Sequence, residues 1–284
     1  MIGLNGGLIG ARRSTSILAS NAGMWSPLEQ LKNYRNGLWP GSVVTNNLVF
    51  YIDSASTACY PGSGTAITDL SGNSNNLTST SALGLYYEDQ GAFAFNDVLS
   101  WATAASNAFL PNNLFADNGG SWTVSCWFKF PAVPFGTRTG NGSWMIVGRC
   151  GGIGTSGTFG LFVGSETDTT YGSYAPFKLA CVIRGAVTVI SSGSVNTDTW
   201  NYVALTWDGS SGSIYFNNAS AISMNVGTAA LQATSAFIVG SGGTTPSVSH
   251  AYSGNIAQVA VYSSALSAAD VERNYKALKG RFIS

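Results

Sequence analysis

The sequence has few charged side chains and no excess of either sign. Lys and Arg number 13, Asp and Glu number 13, and charged residues make up only 9% of the 284 residues, so the formal net charge is +0. Such a chain creates no long-range field that would attract nucleic acid or anionic lipid. We therefore expect no nucleic-acid partner and no membrane role. Hydrophobic residues make up 45% of the chain, which excludes intrinsic disorder.

Histidine and cysteine, on which much catalytic and metal chemistry depends, are also scarce. His250 is the only histidine, and no GxSxG motif accompanies it, so a Ser-His-Asp triad is not indicated. The cysteines show no CxxC spacing, which argues against a structural metal site. Cys126 and Cys181 lie in apolar strand patterns and are expected to be buried free thiols. The glycine-rich clusters lack the Gly-Lys-Ser/Thr ending of a phosphate loop and are interpreted as turns.

The first 45 residues differ in sequence pattern from the rest of the chain. Their two arginines follow the short apolar stretch, the reverse of a secretory signal, so we expect no Sec export. Within residues 26–37, Ser26 is placed as an N-cap, Pro27 at the first helical position and Glu29 to close a capping box, which predicts a short helix. We predict that residues 1–45 form an anchoring arm that docks on a neighbouring subunit, the alternative being packing on the side of the main domain. The predicted assembly contacts are Arg12, Arg13, Trp25, Leu28, Leu31 and Trp39.

From residue 47 onward, short apolar runs alternate with clusters of Gly, Asn, Asp and Ser. The runs are NLVFYID, AFAFN, WTVSCWFKF, WMIVGR, FGLFVG, FKLACVIR, AVTVIS, WNYVALTWD, SIYFN, AFIVG and NIAQVAVY. Many short strands without intervening helices indicate a sandwich or barrel. No long Pro-rich or charged linker interrupts these runs, so residues 46–284 are predicted as one domain. Its last segment is predicted to be a helix capped by Ser267 and lying against the sandwich.

Two of these runs predict different environments. In WTVSCWFKF the apolar residues alternate with Thr123, Ser125 and Lys129, which predicts one buried face and one mostly polar face. Trp127 interrupts the polar face, and we expect the arm or a partner to cover it. WNYVALTWD is apolar on both sides, which predicts a central strand covered twice, and Asp208 with the glycine after it starts the following turn.

Seven stretches of the sequence, taken in order, carry a family resemblance. They are LVFYIDSAS at 48–56, TDLSGNSNNLT at 68–78, AFAFN at 92–96, WTVSCWFKF at 122–130, WNYVALTWDGSSGSIYFN at 200–217, FIVGS at 237–241 and YSGNIAQVAVYSSALSAADVERNY at 252–275. Together they resemble a laminin-G-like, concanavalin A-like jelly roll over roughly residues 45–282. The resemblance implies an all-β protein: a two-sheet antiparallel jelly-roll sandwich, to which the sequence adds a short N-terminal helix and a C-terminal helix.

The arm GLIGARRSTSILASNAGMWSPLEQLKNYRNGLWP resembles openings of virion structural proteins of tailed bacteriophages. This resemblance implies a structural protein on the surface of a phage particle, as a capsid decoration or a tail or fibre component. Its partners would then be other virion proteins and copies of itself. A free-standing carbohydrate-binding module is the alternative.

The same fold houses glycan hydrolases, which need two carboxylates facing each other across the sugar. Retaining enzymes with this fold commonly present a Glu-x-Asp-x-Glu or Glu-x-Asp-x-x-Glu strand motif. Here Glu166 and Asp168 make the only Glu-x-Asp, and Thr169, Thr170 and Tyr171 follow them. Because the third carboxylate is missing, we expect no enzymatic activity.

A glycan-binding face is a stronger candidate, because sugars stack on exposed aromatic rings and bond to nearby polar groups. The loops PAVPFGTRTGNGSW at 131–144 and SETDTTYGSYAPF at 165–177 offer such rings. The predicted glycan-binding residues are Phe135, Trp144, Tyr171 and Tyr174, and the predicted ligand is a host-surface polysaccharide. The alternative is that these rings pack on the sandwich edge or against another subunit.

Calcium is the one cofactor for which candidate ligands exist. Asp53, Asp69 and Asp97 can supply hard oxygen ligands, but no loop shows the dense acidic spacing of a calcium cage. We therefore predict no bound cofactor or metal. Asp69, in DLSGN, is expected instead to cap its own turn.

Overall fold

A computed structural model describes residues 43–79, 87–88, 91–96, 102–104, 120–132, 143–150, 157–164, 177–183, 186–189, 195–227, 237–241 and 251–283. The chain divides into two compact units, residues 1–44 with 269–284 and residues 45–268. The predicted N-terminal helix and all six predicted assembly residues lie outside the described residues.

The second unit carries the strands, and most coincide with the predicted runs. They are β1 (Leu48–Asp53), β2 (Ala66–Ile67), β3 (Leu77–Ser79), β4 (Tyr87–Glu88), β5 (Ala92–Asn96), β6 (Ala102–Ala104), β7 (Trp122–Lys129), β8 (Ser143–Cys150), β9 (Gly157–Gly164), β10 (Leu179–Ile183), β11 (Ala186–Val189), β12 (Trp200–Trp207), β13 (Gly212–Phe216), β14 (Ile222–Ser223), β15 (Ile238–Val239) and β16 (Ser253–Tyr262). Helix α1 (Ala268–Phe282) follows.

The strands form two antiparallel sheets. One sheet has the order β14-β13-β12-β7-β16-β5-β4, with β1 also paired to β16, and the other has the order β11-β10-β9-β8-β15-β6-β3-β2. The first and last long strands of the sandwich are neighbours, because Leu48 of β1 is opposite Tyr262 of β16. This architecture confirms the predicted two-sheet antiparallel sandwich.

The core lies between the two sheets and is rich in aromatic rings. Trp122 of one sheet contacts Phe159 of the other with ring centroids 5.1 Å apart. Phe50 meets Phe237 edge-on at 5.6 Å. Burial of each such side chain contributes roughly 1.5–3 kcal/mol, so these rings dominate the cohesion between the sheets.

The strand β7 is buried on both faces, which differs from the prediction of a solvated polar face. Thr123, Ser125 and Trp127 are all at most 1% exposed. The Trp127 ring packs against Tyr202 of β12, with centroids 5.2 Å apart. The Thr123 hydroxyl donates to the Ser264 carbonyl and accepts from a backbone N–H, both at 2.8 Å. The satisfied hydroxyl of Thr123 explains why it can be buried, whereas the Ser125 Oγ has no hydrogen-bond partner among the described residues. An alternating pattern therefore need not mean a solvated face.

The hairpin between β12 and β13 forms as predicted. All eight residues of β12 are buried, which confirms a central strand covered on both faces. Asp208 organises the turn, because its carboxylate accepts the N–H groups and hydroxyls of Ser210 and Ser211 at 2.7–2.9 Å. These bonds, above all the Ser211 N–H, hold the pKa of the Asp208 carboxyl well below its usual value.

The predicted C-terminal helix is present as α1. Asp270 lies in its first turn and Lys279 in its last, where each charge complements the helix dipole. Within its own unit, the buried Asn274 accepts the backbone N–H of Val44 at 2.8 Å. Among the described residues, no helix is both long enough and apolar enough to cross a membrane.

Candidate functional site

Both loops that were predicted to bind glycan are rooted at one end of the sandwich. Residues 133–142 join β7 to β8, and residues 165–176 join β9 to β10. Ser143 is opposite Gly164 in the β8–β9 ladder, and the Gly164 N–H donates to the Lys178 carbonyl at 2.8 Å. Two loops that are distant in sequence therefore share one root. The predicted binding residues Phe135, Tyr171 and Tyr174 lie outside the described residues.

We call this region the loop-bearing end, and define it by residues 129–132, 144, 177–178 and 195–199. Trp144, the one predicted glycan-binding residue that the structure describes, lies in its interior. Its side chain is 4% exposed, and its ring meets Phe130 edge-on at 5.2 Å. A ring buried to this extent offers no open face to a sugar. Trp144 thus takes the packing role that the sequence left as the alternative.

Phe130 is the centre of an aromatic cluster that forms the floor of the loop-bearing end. Its ring centroid lies 5.3 Å from that of Phe177 and 6.0 Å from that of Tyr252. The Tyr252 hydroxyl donates to the Lys129 carbonyl at 2.9 Å, and burial raises its pKa well above the ordinary value. Tyr252 is therefore a neutral hydrogen-bond donor that ties the cluster to β7.

Phe177 differs from the other rings of the cluster because it is half-buried and its backbone is left-handed. Its φ is 60°, a conformation that is a genuine outlier for a bulky residue. Such backbone costs about 1–3 kcal/mol and persists only where its surroundings impose it. The Phe177 carbonyl accepts the Val195 N–H at 2.7 Å, and the ring packs against Phe130. These contacts hold a partly exposed aromatic ring in a fixed position.

Exposed polar residues lie on the segment 195–199, which is tied to Phe177 through the Val195 N–H. Asp198 also has a left-handed backbone, with φ 56°. Its N–H donates to the Phe130 carbonyl at 2.8 Å, and its Oδ1 accepts the Ala132 N–H at 3.1 Å. Asn196 is exposed, and its carbonyl accepts Nδ2 of the buried Asn201 at 2.8 Å. The Asp198 carboxylate is thereby fixed to the segment that carries Phe130, against which the Phe177 ring packs.

This arrangement is suited to binding a sugar, because a ring supplies a stacking surface and the amide and carboxylate supply hydrogen bonds. The sequence prediction missed all three residues. Phe177 is the last residue of a loop that was singled out, but nothing in the sequence reveals its left-handed backbone. Asn196 and Asp198 belong to the polar stretch VNTDT. Its two turn-forming residues predict a turn before the next strand, but they do not indicate a binding site.

Asp69, a candidate calcium ligand, has a structural role. Its Oδ1 accepts the N–H groups of Tyr51 and Ser71, both at 2.9 Å, and its Oδ2 accepts the Ser71 hydroxyl at 2.7 Å and the Asn75 N–H at 2.9 Å. The prediction that Asp69 caps its own turn is confirmed. Asp53 accepts the Ala55 N–H at 3.0 Å. Asp97 lies outside the described residues, within which no three His, Cys, Asp or Glu side chains form a group that could hold a metal.

The cysteine prediction is confirmed where it can be compared. Cys126, Cys181 and Cys59 are thiols with no exposed surface. Burial raises the pKa of the Cys59 thiol to about 12. These side chains pack in the core, where their thiols are unreactive.

Comparison with known proteins agrees with the observed fold. Residues 102–272 match the family model of the concanavalin A-like lectin/glucanases superfamily. No curated protein sequence matches the chain. Among solved structures, domain 4 of AbnA, a GH43 extracellular arabinanase from Geobacillus stearothermophilus in complex with arabinotriose, is similar with a TM-score of 0.54 and 16% identity, over 81% of this chain and 98% of that domain.

Two further structures share the fold over part of their length. Trypanosoma rangeli sialidase in complex with sialic acid is similar with a TM-score of 0.58 and 15% identity, over 90% of this chain but 39% of the sialidase. The binding domain of botulinum neurotoxin serotype D/C is similar with a TM-score of 0.54 and 12% identity, over 83% of this chain and 53% of that one. At these identities the likeness concerns the fold.

Proposed function

Because this chain belongs to the concanavalin A-like lectin/glucanases superfamily, we propose that it is a non-catalytic glycan-binding protein whose loop-bearing end contacts polysaccharide. The observation that carries the proposal is the half-buried Phe177 ring, fixed in left-handed backbone and hydrogen-bonded through its carbonyl to the segment that carries the exposed Asn196 and Asp198. Strained backbone concentrates where ligands are clamped. The arabinotriose in the similar arabinanase domain, which this chain covers almost entirely, supports a carbohydrate as the ligand.

The non-catalytic part of the proposal is supported by what the carboxylates do. Asp208 accepts four hydrogen bonds from its own turn, and Asp69 accepts three from its own loop and one from Tyr51 of β1. Glu166 and Asp168 lack the third carboxylate of the retaining motif. Hydrolysis of a glycoside needs a pair of carboxyl groups facing each other across the bond. A binding role needs only the ring and its polar neighbours.

We also propose that the protein is displayed on the surface of a phage particle, joined to it by residues 1–45. Support comes from the resemblance of the arm to openings of virion structural proteins. The division of the chain adds to it, because residues 1–44 and 269–284 make one compact unit and the sandwich makes another. In this proposal one unit joins neighbouring virion proteins and copies of the chain, while the other presents the glycan-binding surface. A free-standing carbohydrate-binding module is the competing function.

Substitution of Phe177 tests glycan binding directly. The full chain is applied to immobilised oligosaccharides, both neutral and sialylated, and affinities are compared among variants. Phe177→Leu keeps apolar volume on Phe130 but removes the stacking surface, so it is expected to weaken binding roughly tenfold, while Phe177→Tyr retains it. Tyr51→Ala, which removes a half-buried ring on β1, is the control and should leave affinity unchanged. Equal affinities for Phe177→Leu and the unaltered chain would contradict the proposal.

The predicted loop residues are tested by attachment to host cells, with the melting temperature as the control for folding. Tyr171→Ala and Tyr174→Ala are expected to weaken attachment to host cells without changing the melting temperature. Unchanged attachment would remove both residues from the binding surface and leave Phe177 as its aromatic component.

A deletion tests the proposed anchor. A chain without residues 1–40 is expected to bind glycan but not to join the particle, whereas full-length Phe177→Leu should join it normally. Quantitative mass spectrometry of purified particles measures the copies present relative to the major capsid protein. Efficient incorporation of the truncated chain would contradict the anchor. Complete absence of the full chain from particles, with glycan binding retained, would support the free-standing module.

A further inference from the structure

The exposed charge on the segment tied to Phe177 is negative. Asp198 is exposed, whereas Lys129 and Lys178 of the loop-bearing end are half-buried and already engaged in interactions within the chain. Arg149 lies five residues along β8 from Trp144, roughly 16 Å away at the rise of a strand, and is buried. Among the described residues, the charged group that the loop-bearing end presents fully to solvent is therefore a carboxylate.

The position of this carboxylate is fixed by its surroundings. The Asp198 N–H donates to the Phe130 carbonyl at 2.8 Å, and Oδ1 accepts the Ala132 N–H at 3.1 Å. No described residue donates to Oδ2. An ionised carboxylate is an acceptor only, and its hydrogen bonds to neutral donors are stronger than those of a neutral group. Oδ2 thus keeps its capacity to accept a hydroxyl group of a sugar bound at this end.

We infer that this site takes uncharged polysaccharide and discriminates against glycans that carry carboxylates, such as sialylated or uronic-acid chains. The inference rests on the proposed glycan-binding function and names its class of ligand. A sugar carboxylate within about 4 Å of Asp198 meets a like charge, which weakens binding roughly fivefold in water at low salt. The formal net charge of +0 for the whole chain supplies no compensating attraction.

Proteins that select a sugar carboxylate have a clear chemical signature, because an arginine pairs with it through two parallel hydrogen bonds. The described part of the loop-bearing end contains no arginine. The likeness to a sialidase concerns the fold at 15% identity and gives no reason to expect a sialic-acid site here. Arg138, in the 133–142 loop and outside the described residues, is the cation that would reverse the preference, so the experiment includes it.

The test compares matched pairs of oligosaccharides on the full chain at 20, 150 and 500 mM salt, values chosen to span the range over which surface charges become screened. The pairs are lactose against sialyllactose, and fully methyl-esterified oligogalacturonates, which are neutral, against the free oligogalacturonates of the same length. We expect neutral sugars to bind about fivefold more tightly at low salt, and the difference to shrink as salt is added. Asp198→Asn keeps an acceptor for the Ala132 N–H but removes the charge, so it should abolish the discrimination. Asp208→Asn, at the opposite end of β12, should leave it unchanged.

The outcomes separate this inference from the function on which it rests. Tighter binding of the acidic sugars, lost in Phe177→Leu or in Arg138→Ala, would overturn the inference while glycan binding stands. An unchanged ratio in Asp198→Asn would also overturn it. Failure of every neutral and acidic sugar to bind would overturn both proposals together.

Discussion

Removal of the Asp69 carboxylate is expected to destabilise the sandwich severely. The side chain is 6% exposed and accepts four hydrogen bonds, from the N–H groups of Tyr51, Ser71 and Asn75 and from the Ser71 hydroxyl, at 2.7–2.9 Å. Asp69→Ala leaves three backbone N–H groups without their acceptor. Asp69→Asn keeps Oδ1 but places an NH₂ group opposite the Asn75 N–H, so two donors face each other.

The magnitude follows from the number of orphaned donors. Each buried donor that loses its partner costs about 1–3 kcal/mol, and the half-buried ones lie near the lower value because water reaches them. Asp69→Ala is therefore expected to lower the free energy of unfolding by about 3–5 kcal/mol, and Asp69→Asn by about 1–3 kcal/mol. For a domain of this size 1 kcal/mol shifts the melting temperature by about 2–4 °C, so the alanine variant should melt roughly 6–20 °C lower.

Urea unfolding followed by tryptophan fluorescence measures these differences. Asp208→Ala is the matched control, because Asp208 also accepts four hydrogen bonds but is exposed, and water replaces the lost carboxylate at a cost of about 1 kcal/mol or less. Equal losses for the two alanine variants would refute the argument from burial. A fall in melting temperature on addition of EDTA would refute the structural role, because N–H and hydroxyl donors, not a cation, occupy both Asp69 oxygens.

Three further predictions concern other sites in the sandwich. Gly91→Ala is expected to lower the free energy of unfolding by about 2–4 kcal/mol, because φ is 78° and the new Cβ would lie 2.8 Å from the Ala55 Cα. Gly64→Ala, where nothing lies within 4 Å of the new Cβ, should lower it by only about 1 kcal/mol. Urea titration measures both changes. The Cys59 thiol, with its pKa raised to about 12 by burial, should resist alkylation at pH 8 in the folded chain and react in urea, as peptide mass mapping would show. Because the pKa of Asp208 is lowered in the folded chain, the ionised carboxylate stabilises the fold above about pH 4, and this stabilisation is lost as the pH falls through the folded-state pKa. The small difference in urea unfolding midpoint between the unaltered chain and Asp208→Asn should therefore narrow between pH 7 and pH 2.

The long strands were predictable because their patterns are strong. WNYVALTWD and WTVSCWFKF became the adjacent central strands β12 and β7. The short strands β2, β3, β4, β6 and β14, of two or three residues each, were missed because periodicity has no meaning over so few positions. Burial of Thr123 and Ser125 was missed because a residue type indicates average exposure and not the presence of a covering layer.

The candidate site was predicted in outline only. The sequence identified the two loops that turn out to share one root, since both are rich in aromatic and polar residues. It could not show that Trp144 points into the core. Alternation along a strand tells which residues share a face, but it does not tell which of them a ring from another strand covers. It also could not identify Phe177 or Asp198, because positive φ values in non-glycine residues are imposed by tertiary contacts.

The pairing of β1 with β16 has a mechanical consequence. The sandwich begins at Thr45 and ends at Ala268, and the chain on either side of it belongs to the same other unit. Two covalent connections therefore hold the sandwich, and a protease that cuts one of them leaves the other intact. A pulling force on the sandwich is likewise shared between two strands of backbone that lie side by side.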